Sequence, residues 1–125
     1  MPLNWRLGRV QRDVRQREGA VPMEPGLTPR QAQGQHRLLE MLHTVRAVKG
    51  DAFGAVAYAA VQARVSMAVF DRGIGKTASF RERSHTAGSL MDVVRELAST
   101  LDLPPGQLAE ALKHARVMYR EAFER

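Results

Sequence analysis

From Asp51 to about Arg72 the chain presents apolar side chains on nearly every face that a helix would have. Ala52, Phe53, Ala55, Val56, Ala57, Ala59, Ala60, Val61, Ala63, Val65, Met67, Ala68 and Val69 leave no continuous polar stripe. A helix that is apolar all round is stable only when other elements surround it. Its many alanines let neighbouring helices approach closely. Arg64, set among them, must reach an edge or a partner. The segment therefore predicts a central helix with the rest of the domain arranged around it.

The flanking sequence supplies the surrounding elements. Thr28 as N-cap and Pro29 at the first helical position start a helix whose stripe is Leu38, Met41, Leu42, Val45 and Val48. Gly34 reads as a weak point in its first turns. Arg46 and Lys49 suit the negative end of its dipole, and Gly50 ends it. Asp51 is expected to cap the central helix and Gly73 to close it in a left-handed conformation. Residues 73–88, GIGKTASFRERSHTAG, show no apolar period and read as a long functional loop. Ser89 then caps a helix with the stripe Leu90, Val93, Val94, Leu97 and Leu101. A turn over Asp102 to Pro105, with Asp102 as a candidate cap, leads into a last helix reaching Phe123. Leu108, Ala111, Leu112, Ala115, Met118 or Tyr119, and Phe123 form its inner face. No strand period appears. The expected fold is all-α, a small bundle of four to five helices.

A further segment precedes this body. Leu3, Leu7, Val10 and Val14 recur at helical spacing, and Arg6, Arg9, Arg12, Arg15 and Arg17 cover most of the rest. Trp5 lies just off the stripe, where it suits docking onto the body. Pro22, Pro25, Gly26 and Pro29 follow within Gly19 to Pro29, and proline cannot continue a helix. Residues 1–27 are thus expected to form a flexible basic arm and linker, and residues 28–125 the helical domain.

Charge is the strongest clue to function. The 125 residues carry a formal net charge of +6, and of the 19 basic residues only Lys49, Lys76 and Lys113 are lysine. The arginine fork matches phosphate geometry, which predicts an anionic partner. A GC-rich genome would also raise arginine, but it would not place the charge unevenly. Residues 30–83 hold nine basic side chains against Glu40, Asp51, Asp71 and Glu82, whereas residues 84–125 are slightly acidic. The absence of cysteine removes disulfides, thiolate metal sites and cysteine nucleophiles. The N-terminus lacks the pattern of a secretory signal, and no uninterrupted apolar run is long enough to span a bilayer. A cytoplasmic protein without membrane contact is expected.

Few motifs carry chemistry. Gly75-Lys76-Thr77 is reminiscent of a phosphate-binding loop, but Phe70 stands where that motif needs its first glycine, and a helix, not a strand, precedes it. His36, Glu40 and His43 share a helix face, yet two histidines seven residues apart are about 10 Å apart along a helix, too far for one metal ion. Ser84 and His85 are adjacent, which does not make one the base of the other. No cofactor, metal site or catalytic residue is expected, and the chain reads as non-enzymatic. Leu97 to Leu112, LASTLDLPPGQLAEAL, resembles the core of a helix-turn-helix motif, with Ala98 at the small position and Asp102 where glycine is usual. That resemblance implies a groove-facing set of Gln107, Glu110, Lys113 and His114.

Together these features predict a small helical subunit that binds the backbone of RNA or DNA without reading sequence. Arg6, Arg9, Arg12, Arg15, Arg37, Arg46, Lys49, Lys76, Arg81 and Arg83 are the expected phosphate contacts. In size, helicity and charge the chain is similar to the small subunits of CRISPR effector complexes, which implies partner subunits or self-association in a nucleoprotein assembly. Two alternatives remain open. One is a helix-turn-helix regulator using residues 89–114. The other is a phage- or plasmid-type assembly or adaptor protein that binds an acidic protein.

Overall fold

A computed structural model describes residues 28–124, and every regular element among them is helical. Helix α1 spans Pro29–Lys49, α2 Asp51–Arg72, α3 Phe80–Thr100 and α4 Pro105–Phe123, with a 3-10 turn at Ile74–Thr77. The all-α bundle is as expected. The helix and linker predicted before Thr28 lie outside the described residues, as do Arg6, Arg9, Arg12 and Arg15.

Helix α2 is central. Phe53, Val56, Ala57, Ala60, Val61 and Val65 are buried, and α2 packs against every other described helix. The largest fully buried side chains, Leu38, Val56, Val61 and Val94, come from α1, α2 and α3. Each contributes about 1.5–3 kcal/mol by leaving water. By length and composition α2 could also cross a membrane, with mean hydropathy 1.4, but 50% of that window is buried within the bundle.

Cross-helix pairs fix the directions. The Gln35 and Gln62 side-chain amides exchange two hydrogen bonds of 3.1 and 2.7 Å, while Arg46 reaches Asp51 at 3.1 Å. Helix α1 is therefore antiparallel to α2. Arg83 meets Asp71, so α3 begins beside the end of α2 and also runs back along it. Helix α4 packs on α1 and α2, whereas α3 and α4 hardly touch beyond their connecting turn.

Local signals account for the helix ends, with several corrections. The Thr28 hydroxyl accepts from the Gln31 N–H at 3.1 Å, and the Gln31 side chain accepts from the Thr28 N–H at 3.3 Å, a reciprocal capping box with Pro29 behind it. Asp51 does not cap α2. The N-cap is Gly50, which takes a φ of 95° to join two helices without a spacer, and the Asp51 carboxylate turns to Arg46 instead. Gly73 closes α2 at a φ of −105°, not in the left-handed region. Asp102 does take the left-handed region, at a φ of 56°, but it shapes the turn and caps nothing; the N-cap position of α4 is Pro104.

The largest correction concerns residues 73–88, which are mostly helical. Helix α3 starts at Phe80, ten residues before the start expected after a Ser89 cap, and Ser89 lies in its interior.

 The Ser79 hydroxyl accepts from the Glu82 N–H at 3.1 Å and lies 3.2 Å from the Glu82 carboxylate, so Ser79-x-x-Glu82 is the start signal. The first turns of α3 are exposed and have no face to bury, which is why they carry no apolar period. The cap and the Asp71–Arg83 pair hold them in place of a hydrophobic stripe.

Candidate nucleic-acid interface

The cations predicted from sequence have different fates. Arg37 is half-buried, and its Nε and Nη2 donate to the Ala122 carbonyl at the close of α4, where a cation satisfies an orphan acceptor and the negative end of the dipole. Arg46 pairs with Asp51. The Lys49 ammonium sits 5.7 Å from the centre of the Phe53 ring. Arg83 donates to both carboxylate oxygens of Asp71, at 2.9 and 3.0 Å. Lys76 and Arg81 are exposed.

These residues do not form one patch. Arg46 and Lys49 flank the start of α2, while Lys76, Arg81 and Arg83 gather at its end. Asp51 and Asp71 mark those ends, and at 1.5 Å per residue they are about 30 Å apart. Because α1 runs antiparallel to α2, its first turn lies toward the same end as the 3-10 turn. That brings in Arg30 and Arg72, both exposed, which sequence reasoning did not select. The antiparallel pairing puts Arg30 toward the end of α2 that carries Lys76 and Arg81, and Arg72 precedes the 3-10 turn directly. Facing this group are Asp71, already paired with Arg83, Glu82, and Glu124, which acts electrostatically on Tyr119 together with Arg72. The end of α2 keeps a positive excess.

Two large apolar side chains stand in the same region. Ile74 is 87% exposed and Phe80 is 86% exposed, one on each side of Lys76 in the chain. The neighbouring Phe70 ring is spent internally, against the backbone of Gly75.

The Asp71–Arg83 pair ties the start of α3 to the end of α2. The Arg83 guanidinium, mainly through its hydrogen bonds, holds the Asp71 carboxyl below the ordinary range. A carboxyl lowered in the folded state adds stability above its unfolded pKa and loses it as pH falls through the folded value. Asp71→Asn should therefore melt below the parent at neutral pH, and the gap should close in acid. Paired thermal melts at about pH 7 and about pH 2 check this. A gap that persists in acid would rule out the charge as its source.

A groove of about 510 Å³ opens where α3 and α4 diverge over α2. Its floor includes Ala60, Ala63, Met67 and Ala68, and its walls include Leu90, Met91, Leu112 and Tyr119. Arg64, Arg83 and Arg116 line it together with a single acid, Asp71. The Arg64 guanidinium carbon is 5.9 Å from the centre of the Tyr119 ring. Burial raises the Tyr119 pKa, Glu124 adds to the rise, and Arg64 and Arg72 oppose it.

The helix-turn-helix resemblance finds mixed ground. Asp102 has the positive φ expected at the glycine position of such a turn. However, α3 and α4 diverge instead of packing together, and His114 is turned inward. Its ring meets Phe53 edge-on at 5.1 Å, and its Nδ1 lies 3.2 Å from the Glu110 carbonyl. His36 and Glu40 form an exposed pair at 3.8 Å, and no group of three or more His, Asp or Glu side chains among the described residues is placed to hold a metal ion.

Comparison with protein-family models, curated proteins and solved structures finds no match for this chain.

Proposed function

We propose that this protein is a non-catalytic, cytoplasmic subunit that grips nucleic-acid backbone, with its contact surface at the end of α2. The supporting observation is the succession of Arg72, Lys76 and Arg81, all exposed, along the end of α2, the 3-10 turn and the start of α3, with Arg30 of α1 toward the same end of α2. Backbone contacts of this kind release counterions, so affinity falls steeply with salt and varies little with sequence.

The test is a titration of labelled oligonucleotides across a salt series. The double variant Lys76→Ala, Arg81→Ala should weaken binding on all sequences and lower the salt slope by about two, one per phosphate contact. Arg46→Ala with Lys49→Ala, about 30 Å away along α2, should change it far less. Equal effects of the two pairs would move the surface elsewhere, and no salt-dependent binding by the parent protein would sink the proposal.

A second reading rests on the groove. Its alanine floor admits a close helix, and its arginines suit acidic flanks on that helix. A protein partner with an acidic amphipathic helix would fit there, in an adaptor role. A photo-crosslinking residue at Met91 should then capture such a partner, while one at Glu110 should not. Equal capture at both positions counts against the groove.

A further inference from the structure

Backbone contacts alone do not distinguish a duplex from a single strand. The surface at the end of α2 carries a feature that does. Phe80 is the first residue of α3, and it is 86% exposed although large aromatic side chains are ordinarily buried. Lys76 lies before it, and Arg81 and Arg83 follow it. We propose that Phe80 is a stacking platform for an unpaired base, so that the ligand at this surface is single-stranded nucleic acid. The proposal rests on the backbone-binding reading and narrows it to one class of strand.

Two observations support the assignment. First, Phe80 does not hold the helix start together: the Ser79 cap and the Asp71–Arg83 pair do that. Its exposure therefore has no evident structural purpose. Second, a π-face beside cations is the combination that single strands require, since the bases stack while the phosphates pair with the cations. In a duplex the base faces are already stacked on each other, and a ring projecting from a helix end has no face to meet. Ile74, 87% exposed beyond Lys76, offers a second apolar contact.

Paired cations and apolar side chains also suit an anionic membrane. The local sequence favours a strand instead. Ile74 and Phe80 are separated by Lys76, Thr77 and Ser79, and Phe80 is followed by Arg81, Glu82 and Arg83. No continuous apolar face forms that would sink into lipid, and Glu82 would be carried toward the anionic surface.

The experiment uses the full chain and fluorescence anisotropy with a single-stranded DNA, the matching RNA, their duplexes, and an abasic strand of equal length. Phe80→Ala should weaken binding to the single strands about tenfold with the salt slope unchanged. Phe80→Tyr should restore binding to within about twofold, because it keeps the π-face. On the abasic strand the parent and Phe80→Ala should bind alike. In a Trp5→Phe, Phe80→Trp variant the only indole sits at the platform, and its emission should be quenched by single strands and not by duplex. If single strands bind Phe80→Ala and the parent equally well, the stacking proposal fails while backbone binding stands. If Phe80→Ala loses duplex and single-strand binding equally, stacking is again the wrong account. If the parent binds no nucleic acid, both readings fall. Loss of sedimentation with phosphatidylglycerol vesicles in Phe80→Ala, with oligonucleotide binding untouched, would assign the surface to a membrane instead.

Discussion

Gly34→Val is expected to lower the unfolding free energy by about 3 kcal/mol, a fall of roughly 15 °C in melting temperature for a domain of this size. Gly34 is buried on α1 where that helix meets the end of α4. A Cβ there would run into the Phe123 ring and stand 2.9 Å from the Ala122 carbonyl oxygen. The ring has some room to turn, but the carbonyl belongs to the backbone and is held by Arg37. Gly88→Ala provides the opposite sign. Gly88 lies inside α3, and a Cβ there meets nothing within 4 Å. Alanine in an open helical site stabilises by about 0.5–1 kcal/mol. Thermal melts of both variants test the contrast. A Gly34→Val protein that melts with the parent would mean that α1 and α4 are not in close contact.

Leu38→Ala should cost about 3 kcal/mol by loss of transfer free energy and creation of a cavity. Leu38 is 0% exposed and is the innermost residue of α1, set against the core of α2. Leu38→Met nearly conserves volume and should cost less than about 1.5 kcal/mol. Urea unfolding curves measure both, and an unchanged slope would show that the loss comes from the folded state. If Leu38→Ala proves as mild as Leu38→Met, the site collapses freely and the core is looser than its burial implies.

The fold was legible where hydrophobic pattern and punctuation agree. The all-round apolar run of α2 requires helices around it, and Thr28-Pro29 and Gly50 mark both ends of α1. The first turns of α3 were not legible from pattern, because an exposed helix start has no stripe to display. Ser79-x-x-Glu82 did signal it and was the clue to use. Gly34 illustrates a different limit: its low propensity is visible in the sequence, but the neighbour it accommodates is 89 positions away in Phe123.

The candidate site was legible only as a list of cations. Sequence cannot show that Arg37 faces the Ala122 carbonyl or that Arg83 faces Asp71, so it does not tell which cations already hold intramolecular partners. Nor can it show that α1 turns back along α2, which brings Arg30 toward the end that carries Lys76 and Arg81 and leaves Arg46 and Lys49 at the other. Phe80 was hidden for a related reason. An aromatic residue in a segment read as a loop carries no sign of whether its ring is buried, and the 86% exposure is a property of the fold.

The bond from Arg37 to Ala122 joins residues 85 positions apart. On a ribosome, α1 emerges long before the last turn of α4 exists. At about 5–20 residues per second that interval is on the order of ten seconds. Throughout it the inner side of α1 around Gly34 lacks its permanent neighbour, so α1 can take its final place only once α4 has been made.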